Sequence, residues 1–243
     1  MGLMCRALGG LIGVPRPRER FSKKGLLQMY TRRRTLVSLA ALATPALVSP
    51  ALAAPSEWDA WDAEVTPAGF DLGSSNPWGL HPRLLPRMVK ANPGLRVGDI
   101  HVDAVARYLY HIQPDGMAMR YGVAIGRDGL YQPGVYTIRR KAKWPHWVPT
   151  PTMIAREPEK YARWADGGQP PGPANALGSR ALYLYAGGRD TYLRIHGTPA
   201  PRSIGTRASS GCVRMVMPHI NALYDQVETG VTVYLYPTDG RPL

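Results

Sequence analysis

Tyr192-Leu193-Arg194-Ile195-His196-Gly197-Thr198 is followed, with Gly211 thirteen residues beyond Thr198, by Ser209-Ser210-Gly211-Cys212-Val213-Arg214-Met215. The first run is rich in β-favouring residues and reads as a strand that ends at a histidine. The second places a cysteine in a loop of glycine and serine. Beyond it Ile220, Leu223, Tyr224 and Val227 fall at i, i+3, i+4, i+7, with Pro218 suited to a first helical turn and Gly230 to an end. Strand, loop and helix follow one another here, and the rest of the chain is read around them.

Upstream, Arg107 to Ile112 and Met119 to Ile125 flank Pro114-Asp115-Gly116 and predict a β-hairpin. Val135 to Arg139, Ala181 to Tyr185 and Val231 to Tyr236 are further strand candidates. Residues 141–180 are broken by prolines and tryptophans and read as a long irregular insertion, a feature that is often functional. Residues 54–98 carry little periodicity and read as an irregular approach segment, packed over a core through Trp58, Trp61 and Trp78. The expectation is a mainly β domain over 99–237 with one helix after the cysteine loop and a short tail at 238–243.

The formal net charge is +13 over 243 residues, but nine of the basic residues and only one acid lie in residues 1–53. The remainder is too weakly basic to argue for a nucleic-acid partner. In the leader, Arg32-Arg33-Arg34 precedes an apolar run that ends in Ala51-Leu52-Ala53. This resembles a twin-arginine export signal cleaved after Ala53, which leaves no stable membrane span and points to the periplasm. Of the two cysteines, Cys5 falls in the leader, so Cys212 is the one thiol of the processed chain. A single cysteine in an exported protein is half of an intermolecular bridge or a free thiol with chemical work to do.

A catalytic thiol needs a base that takes its proton and later returns it, and a histidine closing a strand opposite a loop cysteine can serve. Gly211 lets the backbone approach a ligand, so amides of Gly211 and Cys212 could face an oxyanion. Arg214, two residues from Cys212, points to the same side in an extended stretch and could hold a substrate carboxylate. The plain alternatives are a buried small residue at 212, a histidine bound to a carbonyl and a solvated arginine. One cysteine with one or two histidines offers too few ligands for a metal site.

Three groups of residues carry a resemblance: Ile195-His196-Gly197-Thr198, Ser203-Ile204-Gly205, and Ser209 through Met215. Together they resemble the YkuD-type L,D-transpeptidase catalytic domain. Val123 to Gly126, Gln132 to Ile138, Trp144 to Met153 and Asn175 to Leu184 resemble the same family. The resemblance implies a YkuD-like β-sandwich or barrel and a thiolate attack on the L,D peptide bond of a peptidoglycan tetrapeptide stem. Terminal D-alanine leaves, and the thioester passes to the amine of a neighbouring stem or of an acceptor wall protein, with no cofactor.

Position by position, it makes Cys212 the nucleophile, His196 the base, the Gly197 carbonyl the group that orients the imidazole, and Gly211 and Cys212 the oxyanion donors. Arg214, Ser209 and Ser210 become substrate-binding residues, while Tyr183, Trp144, Trp147 and Met153 either line the groove, with the insertion as a lid, or are ordinary aromatic packing in an irregular loop. Many family members carry histidine where this chain has Ser210. A thiolate paired with imidazolium would alkylate fast near neutral pH, and a buried structural thiol would stay inert. The competing functions are an L,D-carboxypeptidase that hands the acyl group to water, and a non-catalytic peptidoglycan-binding protein. A redox thiol leaves the His-Gly-Thr context unexplained, and a papain-like protease has its cysteine before its histidine.

Overall fold

A computed structural model of the protein describes residues 57–243, so the leader and its cleavage point lie outside the described residues. The helix α1 spans Glu57–Val65, followed by a 3-10 turn at Pro82–Leu84 and the strands β1 (Arg87–Lys90), β2 (Ile100–Asp103), β3 (Tyr108–Ile112), β4 (Met117–Gly122), β5 (Ile125–Gly126) and β6 (Gly134–Lys143). Two short helices come next, α2 (Pro151–Arg156) and α3 (Pro158–Tyr161). The chain then runs through β7 (Arg180–Ala186), β8 (Arg189–Thr198), β9 (Arg207–Ser209), β10 (Val213–Val216), α4 (Met217–Gln226) and β11 (Thr232–Leu235).

The protein is mostly β, as expected. Nine strands make one sheet in the order β1-β4-β3-β2-β11-β6-β7-β8-β10, and β5 pairs with β9 separately. The hairpin β3–β4 turns through Asp115 and Gly116, both at positive φ, a conformation that glycine adopts freely and aspartate tolerates. Ile100, Leu109, Ile138, Leu182, Leu184, Ile195, Val213, Met215 and Val233 are buried on the inner face and, with Ile220, Leu223 and Val227 of the α4 segment, form the core. Helix α4 packs on β7, β8 and β10. It follows β10 instead of the cysteine loop directly, and ends at Gln226 rather than near Gly230.

Two expectations change. Residues 54–98 read as irregular because their apolar spacing is sparse, yet they contribute α1 and β1, and β1 pairs with β4. Trp61 packs edge-on against Trp144 at 5.2 Å and Trp78 against the fully buried His219 at 5.8 Å, whereas Trp58 stays 47% exposed. The insertion, too, has local order: prolines sit at the first turns of α2 and α3, where a missing N–H costs nothing. Among the described residues no helix is long and apolar enough to cross a membrane.

Helix α1 has no fully buried residue, and besides the Trp61–Trp144 contact a polar anchor holds it. Arg180, whose side chain is 5% exposed, receives Asp62 in a two-point pair at 2.7 and 2.8 Å. Removing one partner of such a pair strands the other charge. Asp62→Ala is expected to lower unfolding stability by about 1–3 kcal/mol, read as a shifted urea midpoint at constant slope; an unchanged midpoint would show that α1 adds nothing to the fold.

Candidate active site

β8 and β10 run parallel, with Ile195 opposite Val213 and His196 opposite Arg214. Parallel neighbours need a long connection, and here the chain leaves after Thr198, pairs β9 with β5, and returns through Ser210-Gly211-Cys212. Cys212 therefore stands at the mouth of β10, beside the level of Arg194. The Arg194 backbone amide is directed at its sulfur, and the half-buried thiol donates to the Tyr192 carbonyl at 3.7 Å.

His196 is buried, and its Nδ1 lies 2.5 Å from the Gly197 carbonyl oxygen. A carbonyl only accepts, so Nδ1 carries the hydrogen and Nε2 keeps its lone pair in the neutral ring. Burial, then the Arg214 charge, hold His196 down to about 3 against the opposing pull of the Gly197 carbonyl. Burial likewise pushes the Cys212 thiol up, and this outweighs the lowering from Arg194 and Arg214. The resting pair is thus neutral thiol and neutral imidazole. Taking both groups out of water disfavours the two charges of a thiolate–imidazolium pair at once.

Arg214 is half-buried, is pushed down by burial, and its Nε has no hydrogen-bond partner among the described residues. Arg194, by contrast, makes a two-point pair with Asp190 at 2.6 and 2.9 Å and stacks 4.1 Å above Tyr183. Arg140 stacks on Tyr183 as well, at 4.2 Å.

The serines take other places than expected. Buried Ser209 donates to the Cys212 carbonyl at 2.5 Å and accepts from the Gly211 amide at 3.1 Å, so it braces the loop and is closed to substrate. The same bond occupies the Gly211 N–H, one of the two amides expected to face an oxyanion. Gly211 sits at φ +129°, and a Cβ there would meet the Leu130 carbonyl oxygen at 3.0 Å. Ser210 accepts from Arg156 at 3.1 Å and lies 3.2 Å from the Tyr161 hydroxyl, so the insertion docks on the cysteine loop.

Of the expected groove residues, Trp144 is 2% exposed against Trp61 and belongs to the core. Tyr183 is buried between Arg140 and Arg194. Trp147 packs 5.9 Å from Tyr161, and Met153 is half-buried on α2. Sequence reasoning missed Arg194 and Tyr192. Arg194 lies two residues before His196 on a strand, which places it on the same face, and that spacing was available to be read. Tyr192 gave no such signal: it stands at φ +61° in a stretch of β8 with extra residues, 68% exposed, its carbonyl on the thiol.

The model of the YkuD family, the L,D-transpeptidase catalytic domain, matches residues 98–235. The Escherichia coli K12 protein named "Probable L,D-transpeptidase ErfK/SrfK" is 35% identical over 142 residues, 56% of this chain and 43% of that protein. "Probable L,D-transpeptidase YbiS" of the same strain is 33% identical over 141 residues, 54% of this chain and 41% of that protein. The chain thus spans less than half the length of either relative. A solved structure from Brucella melitensis, described as a probable carnitine operon oxidoreductase caia, is 44% identical, covers 61% of this chain and 91% of that one, and has a TM-score of 0.45. The strand histidine and the loop cysteine both lie inside the matched span, and the chain belongs to the YkuD family of L,D-transpeptidase catalytic domains.

Proposed function

We propose that the protein is an exported L,D-transpeptidase of the periplasm that remodels peptidoglycan stem peptides through a thioester on Cys212. The observation that carries this reading is the parallel β8–β10 pairing. It sets a lone-pair-bearing His196, an unpaired Arg214 and the Cys212 loop at one end of the sheet.

In the proposed sequence the thiol turns from the Tyr192 carbonyl to His196, whose Nε2 takes the proton as sulfur bonds to the stem carbonyl carbon. The Cys212 amide and the Arg194 backbone amide, already directed at the sulfur, are placed to favour the developing negative charge. Collapse of the tetrahedral adduct breaks the C–N bond, and His196 returns the proton to the departing D-alanine nitrogen. The acceptor amine then attacks the thioester and gives its proton to His196. A new amide forms as the C–S bond breaks, and the proton goes back to sulfur.

Arg214, which has no acidic partner among the described residues, is assigned to a substrate carboxylate. Exposed Tyr192 is assigned to the rim of the donor site in place of Trp144. An amine on a neighbouring stem gives a 3-3 cross-link, and an amine on a wall protein would use the same step.

Disaccharide tetrapeptide incubated with the full chain and followed by mass spectrometry is expected to lose D-alanine and yield a 3-3 dimer, both absent in Cys212→Ala. Cys212-dependent loss of D-alanine without dimer would assign the acyl group to water instead, and full activity in Cys212→Ala would overturn the thioester.

The neutral resting pair gives a pH signature. A thiol raised above the ordinary range of about 8.5 is mostly protonated at pH 7, so its thiolate grows as pH rises. Iodoacetamide alkylation of Cys212 should climb about tenfold per pH unit from 6 to beyond 8.5. A rate already level between pH 5 and 7 would instead mean a preformed thiolate–imidazolium pair.

A further inference from the structure

The outer face of the sheet continues from the active site to a second site. Directly opposed residues in a sheet share a face, as do residues i and i+2 of one strand. Arg194 is opposite Tyr183, Tyr185 is opposite Thr137, Thr137 is opposite Thr232, and Tyr234 is opposite His101. His196, Tyr183, Thr232, Tyr234 and His101 therefore lie on one face, while Leu182, Leu184, Ile195 and Val233 fill the core beneath it.

Around β2 and β11 this face holds an open depression of about 360 Å³, within the ~300–1,000 Å³ of small-molecule sites. Its lining combines flat rings with planar polar groups. The His101 ring stacks on Tyr234 at 4.5 Å and lies 5.9 Å from that of Tyr236. Arg96 reaches Asp99 at 2.7 Å and Thr232 at 3.1 Å.

His101 is 7% exposed, its Nδ1 is 3.0 Å from the Tyr236 hydroxyl, and its Nε2 has no partner among the described residues. Apolar ring surface with neutral hydroxyls and a paired Arg–Asp fits a ligand dense in hydroxyls and amides without net charge, which is the chemistry of an N-acetylated sugar.

The spacing says how such a ligand relates to Cys212. From β10, which Cys212 enters, to β2 the face crosses five strand intervals, about 24 Å along the sheet at ~4.8 Å each. Three stem residues, from the saccharide to the attacked carbonyl, reach about 11 Å at most. What falls at the depression is the saccharide chain that bears the stem, and not the peptide.

We propose that the depression formed by Arg96, Asp99, His101, Thr232, Tyr234 and Tyr236 is a glycan subsite that grips the N-acetylated saccharide backbone while the stem reaches Cys212. The assignment rests on the transpeptidase reading for its orientation toward Cys212, while binding can be measured apart from turnover.

The test is titration of the full chain with a peptide-free N-acetylglucosamine tetrasaccharide by calorimetry, alongside Tyr234→Ala and the rim variant Arg96→Ala. Expected is saturable binding by the unaltered protein, weakened about tenfold in each variant, since one ring–ligand contact is worth about 1.4 kcal/mol. Unchanged thermal unfolding of Arg96→Ala keeps the comparison valid should Tyr234→Ala misfold. No binding at millimolar sugar, or equal binding by protein and both variants, overturns the subsite. A matching readout is turnover: the glycan-linked donor should show a lower KM than free tetrapeptide, and the variants should lose that preference while keeping kcat on the free peptide. Sugar binding without any turnover would remove the transpeptidase reading and leave the subsite standing; turnover without sugar binding would do the reverse.

Discussion

Parallel pairing of β8 with β10 is the constraint on which the rest of the site depends. Two consecutive strands of one sheet can lie parallel only if the chain between them travels back along its whole length. The return path here is the segment from Thr198 to Cys212, and its last residues must re-enter the sheet next to β8 without room for side chains. Gly211 meets that demand at φ +129°, and Gly126 meets it from the other side, where an added Cβ would lie 2.8 Å from the Tyr131 backbone and 3.0 Å from Gly211. Ser209 then ties the loop to itself through two hydrogen bonds. The nucleophile's position is therefore a by-product of sheet topology, held by backbone contacts more than by interactions of the thiol.

Charge on this face is arranged unevenly, and the unevenness has chemical meaning. Arg194 is neutralised by Asp190 and shielded by Tyr183, so it supplies shape and backbone more than net charge. Arg214 has no such partner among the described residues and lowers the affinity of His196 for a proton. A buried cation beside a base that is to become an imidazolium would be a poor arrangement if it stayed unpaired. An incoming carboxylate would relieve it, since the negative charge cancels the field that Arg214 exerts on His196. Burial remains the larger cause of the low basicity of the ring, and the Arg214 charge adds to it.

Much of the fold was legible because strands buried on one face leave a strong compositional trace. The hairpin, β6, β7, β8 and β11 were each visible as runs of Tyr, Val, Ile and Leu, and α4 by its apolar spacing. β1 and α1 were hidden for the opposite reason: Arg87-Met88-Val89-Lys90 is a mostly exposed edge strand, and α1 buries none of its residues. His196, Cys212 and Arg214 were legible as a motif, yet their protonation was not, because burial is a property of the assembled sheet. The demotion of Trp144 has a similar origin. Its partner Trp61 is 83 positions away in a segment without periodicity, so the pair could not be matched in one sequence.

The insertion between β6 and β7 differs in character from root to tip, and that difference bears on how a polymer could enter the site. At the root, Trp144 is buried on Trp61, and Asn175 fastens the backbone by donating to Gln169 and Pro170 and accepting from Leu177. These contacts are apolar or fully satisfied and would be costly to break. At the tip, Arg156 and Tyr161 reach Ser210, while Glu157 takes Arg127 and Arg156, and its carboxyl is held at about 2, chiefly by Arg127. Ion pairs that solvent reaches are worth about 1 kcal/mol or less each, and Arg127 is 40% exposed. The root is thus held more firmly than the tip. Ser210 stands two residues from Cys212, so the tip of the insertion meets the cysteine loop through a few polar side-chain contacts, whereas Ser209 and the close approach of Gly126 to Gly211 hold that loop from within.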